Sequence, residues 1–196
     1  MMKTYHINEI FYSLQGEGYY TGTPALFIRF SGCNLDCVFC DTDFRASTPM
    51  TLEQIAEKAA ECPARHVVLT GGEPSLQVDE ALIDELHALG KYVAIETNGT
   101  HPLPKNIDWV TLSPKDQYKN NATPVLTSCN ELKVIFDGST PPQDYPDISA
   151  EYRFLQPLYT DNATDDRRIH IRTVIYVQEN PSWRLSLQTH KFIGIR

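Results

Sequence analysis

The 196-residue sequence contains no long hydrophobic run. Its apolar segments are much shorter than the roughly 20 residues that a membrane-spanning helix needs. No charged segment followed by an apolar one stands at the start of the chain, as it would in a secretory signal. These absences predict a soluble, cytoplasmic protein with no membrane partner. Internal repeats and low-complexity tracts are also absent, and the length suits a single domain spanning residues 1–196.

Positive charge is also in short supply. The chain has 17 lysines and arginines against 25 aspartates and glutamates, which gives a net charge of −8. Proteins that bind nucleic acid through a broad surface carry an excess of positive charge, because they must neutralise phosphates. The composition therefore argues against a nucleic-acid partner. The 41% of hydrophobic residues is enough to build a core at this size.

The five cysteines are unevenly distributed. Three of the five cysteines, Cys33, Cys37 and Cys40, lie within eight residues of one another. Disulfide-stabilised secreted proteins spread their cysteines along the chain, whereas clustered cysteines in a cytosolic chain favour a metal or cluster site. The spacing brings three thiolates toward one point and leaves a fourth position empty. It predicts an iron–sulfur cluster with one iron free to bind another ligand.

Zinc is the competing ligand for these thiolates. A closed zinc site needs four protein ligands, and the nearest further candidates are Cys62 and His66. Cys62 and Cys129 are more simply interpreted as small apolar residues that pack in the core.

Short apolar runs predict the strands of a largely parallel sheet. The runs are Ala25–Phe30, His66–Leu69, Tyr92–Ile95, Trp109–Leu112, Glu131–Phe136 and Tyr152–Leu155. They are apolar throughout rather than alternating, which is typical of strands covered on both faces. The segment Trp183–Leu187 alternates and predicts one more strand near the end of the chain.

Helical spacing predicts the connections between these strands. Thr51–Glu61 has one apolar face and a capping box, and Val78–Leu89 is followed by Gly90, a residue that favours positive φ. Arg168–Gln178 fits a helix or a strand, and we predict a helix because the run is long. Lys115–Cys129 and Asp137–Ala150 are rich in Pro, Asn, Thr and Asp, so loops are expected there. The order of strands and helices predicts an α/β protein.

Unusual polar motifs follow nearly every predicted strand. They are the cysteine loop (residues 31–42), Thr70–Pro74, Glu96–Gly99, Ser113–Lys115 and Gln156-Pro157. The carboxyl ends of parallel strands meet at one edge of a sheet, where the connecting loops form the active site. We therefore expect these motifs to face a single cavity.

The cysteine loop, including Phe39 before its last cysteine, resembles the cluster motif of the radical S-adenosylmethionine (SAM) superfamily. The resemblance implies a [4Fe–4S] cluster whose free iron binds SAM, and cleavage of SAM to a radical that abstracts a hydrogen atom. Gly71-Gly72-Glu73-Pro74 strengthens it. Its glycines would let the backbone approach a ligand closely, and Glu73 would offer a carboxylate to the SAM amino group. The alternative is a turn at the start of a helix, in which the only role of Glu73 is a favourable interaction of its negative charge with the helix dipole.

Further blocks of sequence resemble the 7-carboxy-7-deazaguanine synthase family. They are Glu9–Gly18, Thr23–Ala25, Phe27–Phe30, Cys40–Phe44, Glu96–Gly99, Ser113–Lys115 and Trp183–Lys191. The resemblance covers essentially the whole chain. It implies a partial, pared-down (β/α) TIM-like barrel of the radical SAM type, with a mostly parallel sheet of about six strands and family-specific N-terminal and C-terminal strands.

Members of this family convert 6-carboxy-5,6,7,8-tetrahydropterin into 7-carboxy-7-deazaguanine with loss of ammonia, on the route to queuosine and other deazapurines. The resemblance thus implies a carbon–nitrogen lyase that uses a [4Fe–4S] cluster, SAM and Mg²⁺. It also implies an electron donor such as a flavodoxin or ferredoxin, and a homodimer.

The family's site residues carry over to matching positions. The cluster would be held by Cys33, Cys37 and Cys40, and Mg²⁺ by Thr42. SAM would contact Phe39, Cys40, Asp41, Gly72, Glu73, Ser113, Pro114, Lys115 and Gln156. The pterin would contact Leu14, Gln15, Gly16, Glu17, Arg29, Thr70, His190 and Arg196.

These residue types suit the chemistry. Gln15 can read the donor–acceptor edge of a pterin, and Arg29 can pair with its carboxylate through two hydrogen bonds. A single protein ligand such as Thr42 suits Mg²⁺, because this ion usually binds few protein oxygens and completes its coordination shell with water and substrate. Simpler interpretations remain: a flexible turn after Gln15, a structural ion pair at Arg29 and an ordinary turn hydroxyl at Thr42.

Two rival functions remain open on the sequence. One is a radical SAM activase acting on a protein partner, which would leave Leu14–Gly18 and Arg29 unexplained. The other is a non-catalytic zinc-binding module, which explains the cysteines only.

Overall fold

The structure, a computed structural model, describes residues 3–196 and contains one sheet of nine strands. The strands are β1 (Thr4–Leu14), β2 (Pro24–Phe30), β3 (Thr48–Thr51), β4 (His66–Gly71), β5 (Tyr92–Thr97), β6 (Trp109–Leu112), β7 (Ser128–Phe136), β8 (Ser149–Pro157) and β9 (Arg184–Leu185). The helices are α1 (Leu52–Glu61), α2 (Glu80–Ala88), α3 (Ala163–Glu179) and α4 (Thr189–Ile193), with a 3₁₀ turn at Pro74–Leu76.

The sheet is mostly parallel and open. Its strand order is β3-β1-β2-β4-β5-β6-β7-β8-β9. Only β1 pairs antiparallel with its neighbours, while every pair from β2 to β9 is parallel. The two edge strands, β3 and β9, do not pair with each other within residues 3–196, so the barrel is partial. The predicted fold class is confirmed.

The three predicted helices are confirmed, and a side chain caps the N-terminus of each one. In α1, Thr51 and Gln54 form the reciprocal capping box that the sequence predicted. The Asp79 side chain caps α2, and that of Asn162 caps α3. The segment Arg168–Gln178 is helical and begins five residues earlier than expected, because Asn162 provides a cap there.

The sheet buries apolar side chains on both faces, as the continuous apolar strands predicted. On the outer face, Leu26, Val67 and Val93 pack against α1 and α2 in the largest core cluster. Alternate residues of the same strands, such as Phe27 and Val68, point to the inner face.

Aromatic side chains fill the inner face near the amino ends of the parallel strands. We call Tyr19, Tyr20, Tyr92, Trp109 and Tyr152 the aromatic floor. The Tyr19 ring centroid lies 4.9 Å from Trp109 and 4.5 Å from Tyr152, and the Tyr20 ring packs 4.8 Å from Trp109. The loop between β1 and β2 therefore closes this end of the barrel, which leaves the carboxyl ends of the strands for the cavity.

The structure also corrects details of the expected fold. Nine strands are present rather than about six, because β1, β3 and β9 flank the six predicted ones. The expected strand Trp183–Leu187 is reduced to Arg184–Leu185, since Trp183 turns into the core beneath α3 and is 4% exposed. No helix among residues 3–196 is both long enough and apolar enough to span a bilayer.

The packing of α2 gives a test of the fold. Leu82 is completely buried, whereas Leu76, in the preceding turn, is 43% exposed. We expect Leu82→Ala to lower the free energy of unfolding by about 2–5 kcal/mol, because it leaves a cavity in the core. Leu76→Ala should change it by less than about 1 kcal/mol, since little apolar area is lost. Urea denaturation of both variants measures the difference, and equal losses would contradict this packing.

Candidate functional site

One cavity of about 420 Å³ lies at the carboxyl ends of the parallel strands. It is lined by nearly every residue that the sequence analysis assigned to a site: Leu14, Gln15, Gly16, Glu17, Arg29, Cys33, Cys37, Phe39, Cys40, Asp41, Thr42, Thr70, Gly72, Glu73, Ser113, Lys115, Gln156, His190 and Arg196. Pro114 is the exception, since it is buried beside the cavity and does not line it. The expectation that the strand-end motifs share one cavity is met in the geometry.

The three clustered cysteines are free thiols that open onto this cavity, and Cys40 is the most exposed of them. Across residues 3–196, no group of three or more His, Cys, Asp or Glu side chains is arranged around a single ion. The donor set that faces the cavity is three thiols, and cysteine thiolates are the usual protein ligands of iron–sulfur clusters.

The expected fourth ligands of a zinc site lie elsewhere. His66 begins β4 and is buried against Tyr20 and Tyr92, at the opposite end of the sheet from the cysteine loop. It stands five residues from Gly71, or roughly 16 Å at the rise of a strand. Cys62 packs at the end of α1 against the outer core. The position of these two residues argues against the zinc alternative.

A backbone-to-backbone contact fixes the cysteine loop on the end of β4. The Gly72 amide donates to the Phe30 carbonyl at 3.0 Å, and the Glu73 amide donates to the Gly32 carbonyl at 2.8 Å. A Cβ on Gly72 would lie 1.9 Å from that Gly32 oxygen. The small size of Gly72 is therefore needed for this contact with the chain's own backbone.

Glu73 is buried, with 1% of the residue exposed, and its carboxylate joins the turn after β4 to the end of β5. Its oxygens accept from the Thr97 hydroxyl at 2.6 Å, the Asn98 amide at 2.8 Å and the Ser75 amide at 3.0 Å. Asn98 in turn donates from its side chain to Asn34 in the cysteine loop at 3.0 Å. Most of the acceptor capacity expected to serve a SAM amino group is therefore used within the protein.

The centre of the cavity holds a buried ion pair between Glu17 and Lys133. The Gln188 amide also donates to Glu17, at 2.8 Å. Burial alone would raise the pKa of Glu17, but the Lys133 ammonium outweighs burial and lowers that pKa to about 2. Burial would lower the pKa of Lys133, but the surrounding carboxylates raise it. Both groups are therefore charged at neutral pH.

Glu96 lies next to this pair and is held from two sides. It accepts from Gln15 Nε2 at 3.1 Å and from the Thr70 hydroxyl at 2.8 Å, and Lys133 Nζ lies 3.9 Å from its Oε1. Gln15, Glu17, Thr70 and Glu96, which come from three different strand ends, are thereby fixed relative to one another.

Lys115 is the second buried amine of the cavity. Its ammonium donates to the Ser113 carbonyl at 2.6 Å and to the Ser113 hydroxyl at 2.7 Å. Burial and the nearby charge of Lys133 lower its pKa to about 8, because both disfavour the protonated form.

Arg29 is paired with Glu9, the residue directly opposite it on β1. Arg29 Nε lies 3.0 Å from Glu9 Oε1, and Arg196 reaches the other oxygen of the same carboxylate. The terminal nitrogen Nη1 of the Arg29 guanidinium lies 3.4 Å from the Thr42 hydroxyl. The simpler interpretation of Arg29 as an ion pair is thus met in part, while its free N–H groups still line the cavity.

The C-terminal segment closes one side of the cavity. The Lys191 ammonium lies 2.6 Å from Asp41 in the cysteine loop and 3.7 Å from the centre of the Tyr159 ring. A Cβ on Gly16 would lie 2.1 Å from the His190 ring, so these two residues are in direct contact.

Several lining residues were not assigned a role from the sequence: Glu9, Glu96, Lys133, Gln188 and Lys191. One signal could have found Lys133, since it is a charged residue inside the predicted strand Glu131–Phe136. Charged residues are rarely buried without a partner, so a lysine in this strand indicates a buried ion pair.

The contact at Gly72 can be tested by substitution. We expect Gly72→Ala to displace the cysteine loop, because its new methyl group would overlap the Gly32 carbonyl. Hydrogen–deuterium exchange of residues 31–42 should rise several-fold in this variant. Gly22→Ala is the control: alanine is strained at its φ of +87°, but within residues 3–196 the added methyl group would meet no atom closer than 4 Å beyond its chain neighbours. Equal exchange of residues 31–42 in both variants would contradict the proposed contact.

Comparison with known proteins places this cavity in a family. Residues 27–115 match the Radical SAM superfamily. A 7-carboxy-7-deazaguanine synthase of Bacteroides thetaiotaomicron is 56% identical, over 97% of this chain and 98% of that protein. One of Bordetella pertussis is 43% identical, over 97% and 99%. The crystal structure of QueE from Escherichia coli superposes with a TM-score of 0.72 at 33% identity and covers 95% of each chain. The chain belongs to the 7-carboxy-7-deazaguanine synthase family of radical SAM enzymes.

Proposed function

We propose that this protein is a radical SAM lyase that converts 6-carboxy-5,6,7,8-tetrahydropterin into 7-carboxy-7-deazaguanine with loss of ammonia, in queuosine or another deazapurine pathway. The observation that carries the proposal is the single cavity in which three cysteine thiols face a set of buried carboxylates, amides and an arginine. The relatives that cover nearly the whole chain bear the name of this activity.

The donor set of the cavity fits the cluster and SAM. Cys33, Cys37 and Cys40 would hold a [4Fe–4S] cluster, and Cys62 and Cys129 lie against the core, so one iron would lack a protein thiolate. With SAM on that iron, the pair supplies the radical chemistry of hydrogen-atom abstraction.

The cavity also supplies positions for SAM beyond the cluster. Phe39, Asp41, Ser113, Lys115 and Gln156 line the wall between the cysteine loop and the ends of β6 and β8. Gly72 and Glu73 position the cysteine loop beside them. Pro114 would contribute by shaping the turn between Ser113 and Lys115.

The pterin would occupy the side of the cavity formed by β1, β2, β4 and β5. Its aminopyrimidinone edge carries N–H donors, and the carboxylates of Glu17 and Glu96 are acceptors that both lie beside the Lys133 ammonium. Arg29 would pair with the substrate carboxylate through its free N–H groups. Leu14, Gln15, Gly16, Thr70 and His190 would complete this pocket, with Arg196 at its edge.

The Thr42 hydroxyl would ligate Mg²⁺ together with water and the substrate carboxylate, which the ion would orient. Thr42 lies at the cavity wall within hydrogen-bond distance of Arg29. The ion and the guanidinium would thus approach the same substrate carboxylate from neighbouring positions.

The cellular setting follows from the same proposal. Residues 1–196 act as a single radical SAM domain in the cytoplasm and receive electrons from a donor such as a flavodoxin or ferredoxin. The protein works as a homodimer, without nucleic acid or membrane partners.

Anaerobic reconstitution tests the activity. The protein should take up about four irons per chain. With reductant, SAM, Mg²⁺ and carboxytetrahydropterin it should release the deazaguanine product, as detected by mass spectrometry. Cys33→Ala should abolish turnover, since a ligand of the cluster is lost, whereas Cys129→Ala should retain it. Turnover by Cys33→Ala, or stoichiometric zinc in place of iron, would refute the mechanism.

Arg29 provides a separate test of substrate binding. We expect Arg29→Met to raise the apparent KM for the pterin roughly 10- to 100-fold, because hydrogen bonds to a charged group are lost. Iron content should stay unchanged. Arg45→Met is the matched control, since Arg45 forms an exposed ion pair with Asp43 near the cysteine loop. If Arg29→Met lost iron but kept its KM, its assigned role would be wrong.

A further inference from the structure

We propose that Lys133 is a positioning residue for substrate recognition. It keeps the Glu17 carboxylate ionised and fixes it beside the carboxylate of Glu96, and these two side chains together accept the N–H donors of the pterin ring. This inference rests on the proposed function and adds a residue outside the expected pterin pocket.

Lys133 is placed between the two carboxylates by the alternation of β7. Its side chain is 7% exposed and points to the inner face, where its ammonium contacts Glu17 Oε2 and lies 3.9 Å from Glu96 Oε1. The two glutamates come from the loop after β1 and from the end of β5. The lysine therefore joins two parts of the cavity that no strand pairing connects.

Each carboxylate keeps acceptor capacity for a ligand. Glu17 accepts from Lys133 and Gln188, and Glu96 accepts from Gln15 and Thr70. An ionised carboxylate has about four lone-pair positions. Both side chains line the cavity and are partly open to it, 16% and 25% exposed.

The positive charge of Lys133 is needed to keep Glu17 ionised, because both negative and positive side chains surround Glu17. Glu96, Glu131 and Asp41 bring negative charge toward it, while His190, Lys191 and Lys115 lie on the other sides of the cavity. Without Lys133, burial and the neighbouring carboxylates would dominate and raise the pKa of Glu17.

A protonated Glu17 would recognise the substrate less well. Its carboxyl group would present an O–H donor where the ring also presents N–H donors, and two donors repel. In the unaltered protein the pKa of Glu17 is about 2, so the carboxylate is ionised throughout the neutral range. In a variant without the lysine, the ionised fraction would fall as the pH falls.

Binding of 6-carboxypterin, an oxidised and unreactive pterin, tests the proposal. Cluster-loaded protein with SAM but no reductant is titrated while the pterin fluorescence is followed, between about pH 6 and about pH 9. At the lowest pH of this range, we expect Lys133→Met to bind 6-carboxypterin about 10- to 100-fold more weakly than the unaltered protein does. The ratio of the two affinities should shrink as the pH rises, because Glu17 becomes ionised in the variant.

Two further variants separate this role from a structural one. In Lys133→Met/Glu17→Gln, the neutral amide needs no cation, so the affinity ratio should no longer depend on pH. Lys58→Met removes an exposed lysine that pairs with Glu61 on α1 and should bind normally. Iron content and circular dichroism of each variant report whether it has folded.

The outcomes distinguish the two proposals. If the unaltered protein binds the pterin and Lys133→Met binds it equally well, or more weakly by the same factor at every pH, the role of Lys133 is refuted and the proposed function stands. If the unaltered protein does not bind the pterin, the proposed function fails and this inference fails with it.

Discussion

The geometry of the cavity depends on the buried carboxylate of Glu73. A carboxylate that is removed from water must find hydrogen-bond donors, and Glu73 finds three, from the turn that follows it and from the end of β5. Its backbone amide meanwhile holds the Gly32 carbonyl. The loops after β2, β4 and β5 therefore cannot move independently. Because the three cysteines lie on the first of these loops, the polar residue at the end of β4 determines where the thiols stand relative to the rest of the cavity.

Electrostatics divides the cavity into two regions. Near the end of β7, Lys133 balances Glu17 and lies close to Glu96, so this region is buried and charged yet internally compensated. At the rim, two arginines share the carboxylate of Glu9. Removing one partner from a buried pair leaves an uncompensated charge, which is costly, whereas Arg196 at the rim is 67% exposed and its pairing is screened by solvent. Substitutions at Lys133 should therefore lower the stability of the protein more than substitutions at Arg196.

Much of this arrangement could be predicted from the sequence because it is encoded locally. Apolar runs mark the central strands, and polar motifs directly after them mark the edge that bears the cavity. The spacing of Thr51 and Gln54, which is that of a capping box, is enough to predict the start of α1. The strand β1 is harder to recognise, since most of its second half is only half-buried and its pattern is correspondingly weak. The partners of Glu73, Arg29 and Glu17 could not be predicted, because each contact depends on how distant strands align. The same limit explains why the close contact between Gly72 and Gly32 was not predicted.

The aromatic floor has a consequence for how small molecules travel through the protein. Since Tyr19 and Tyr20 pack against Trp109 and Tyr152 at the amino ends of the strands, diffusion along the axis of the barrel is blocked at that end. The cavity lies on the carboxyl side, where the cysteine loop and the C-terminal segment meet at Asp41 and Lys191. Because product and substrate occupy this same cavity, a product that leaves slowly would act as a competitive inhibitor of its own formation.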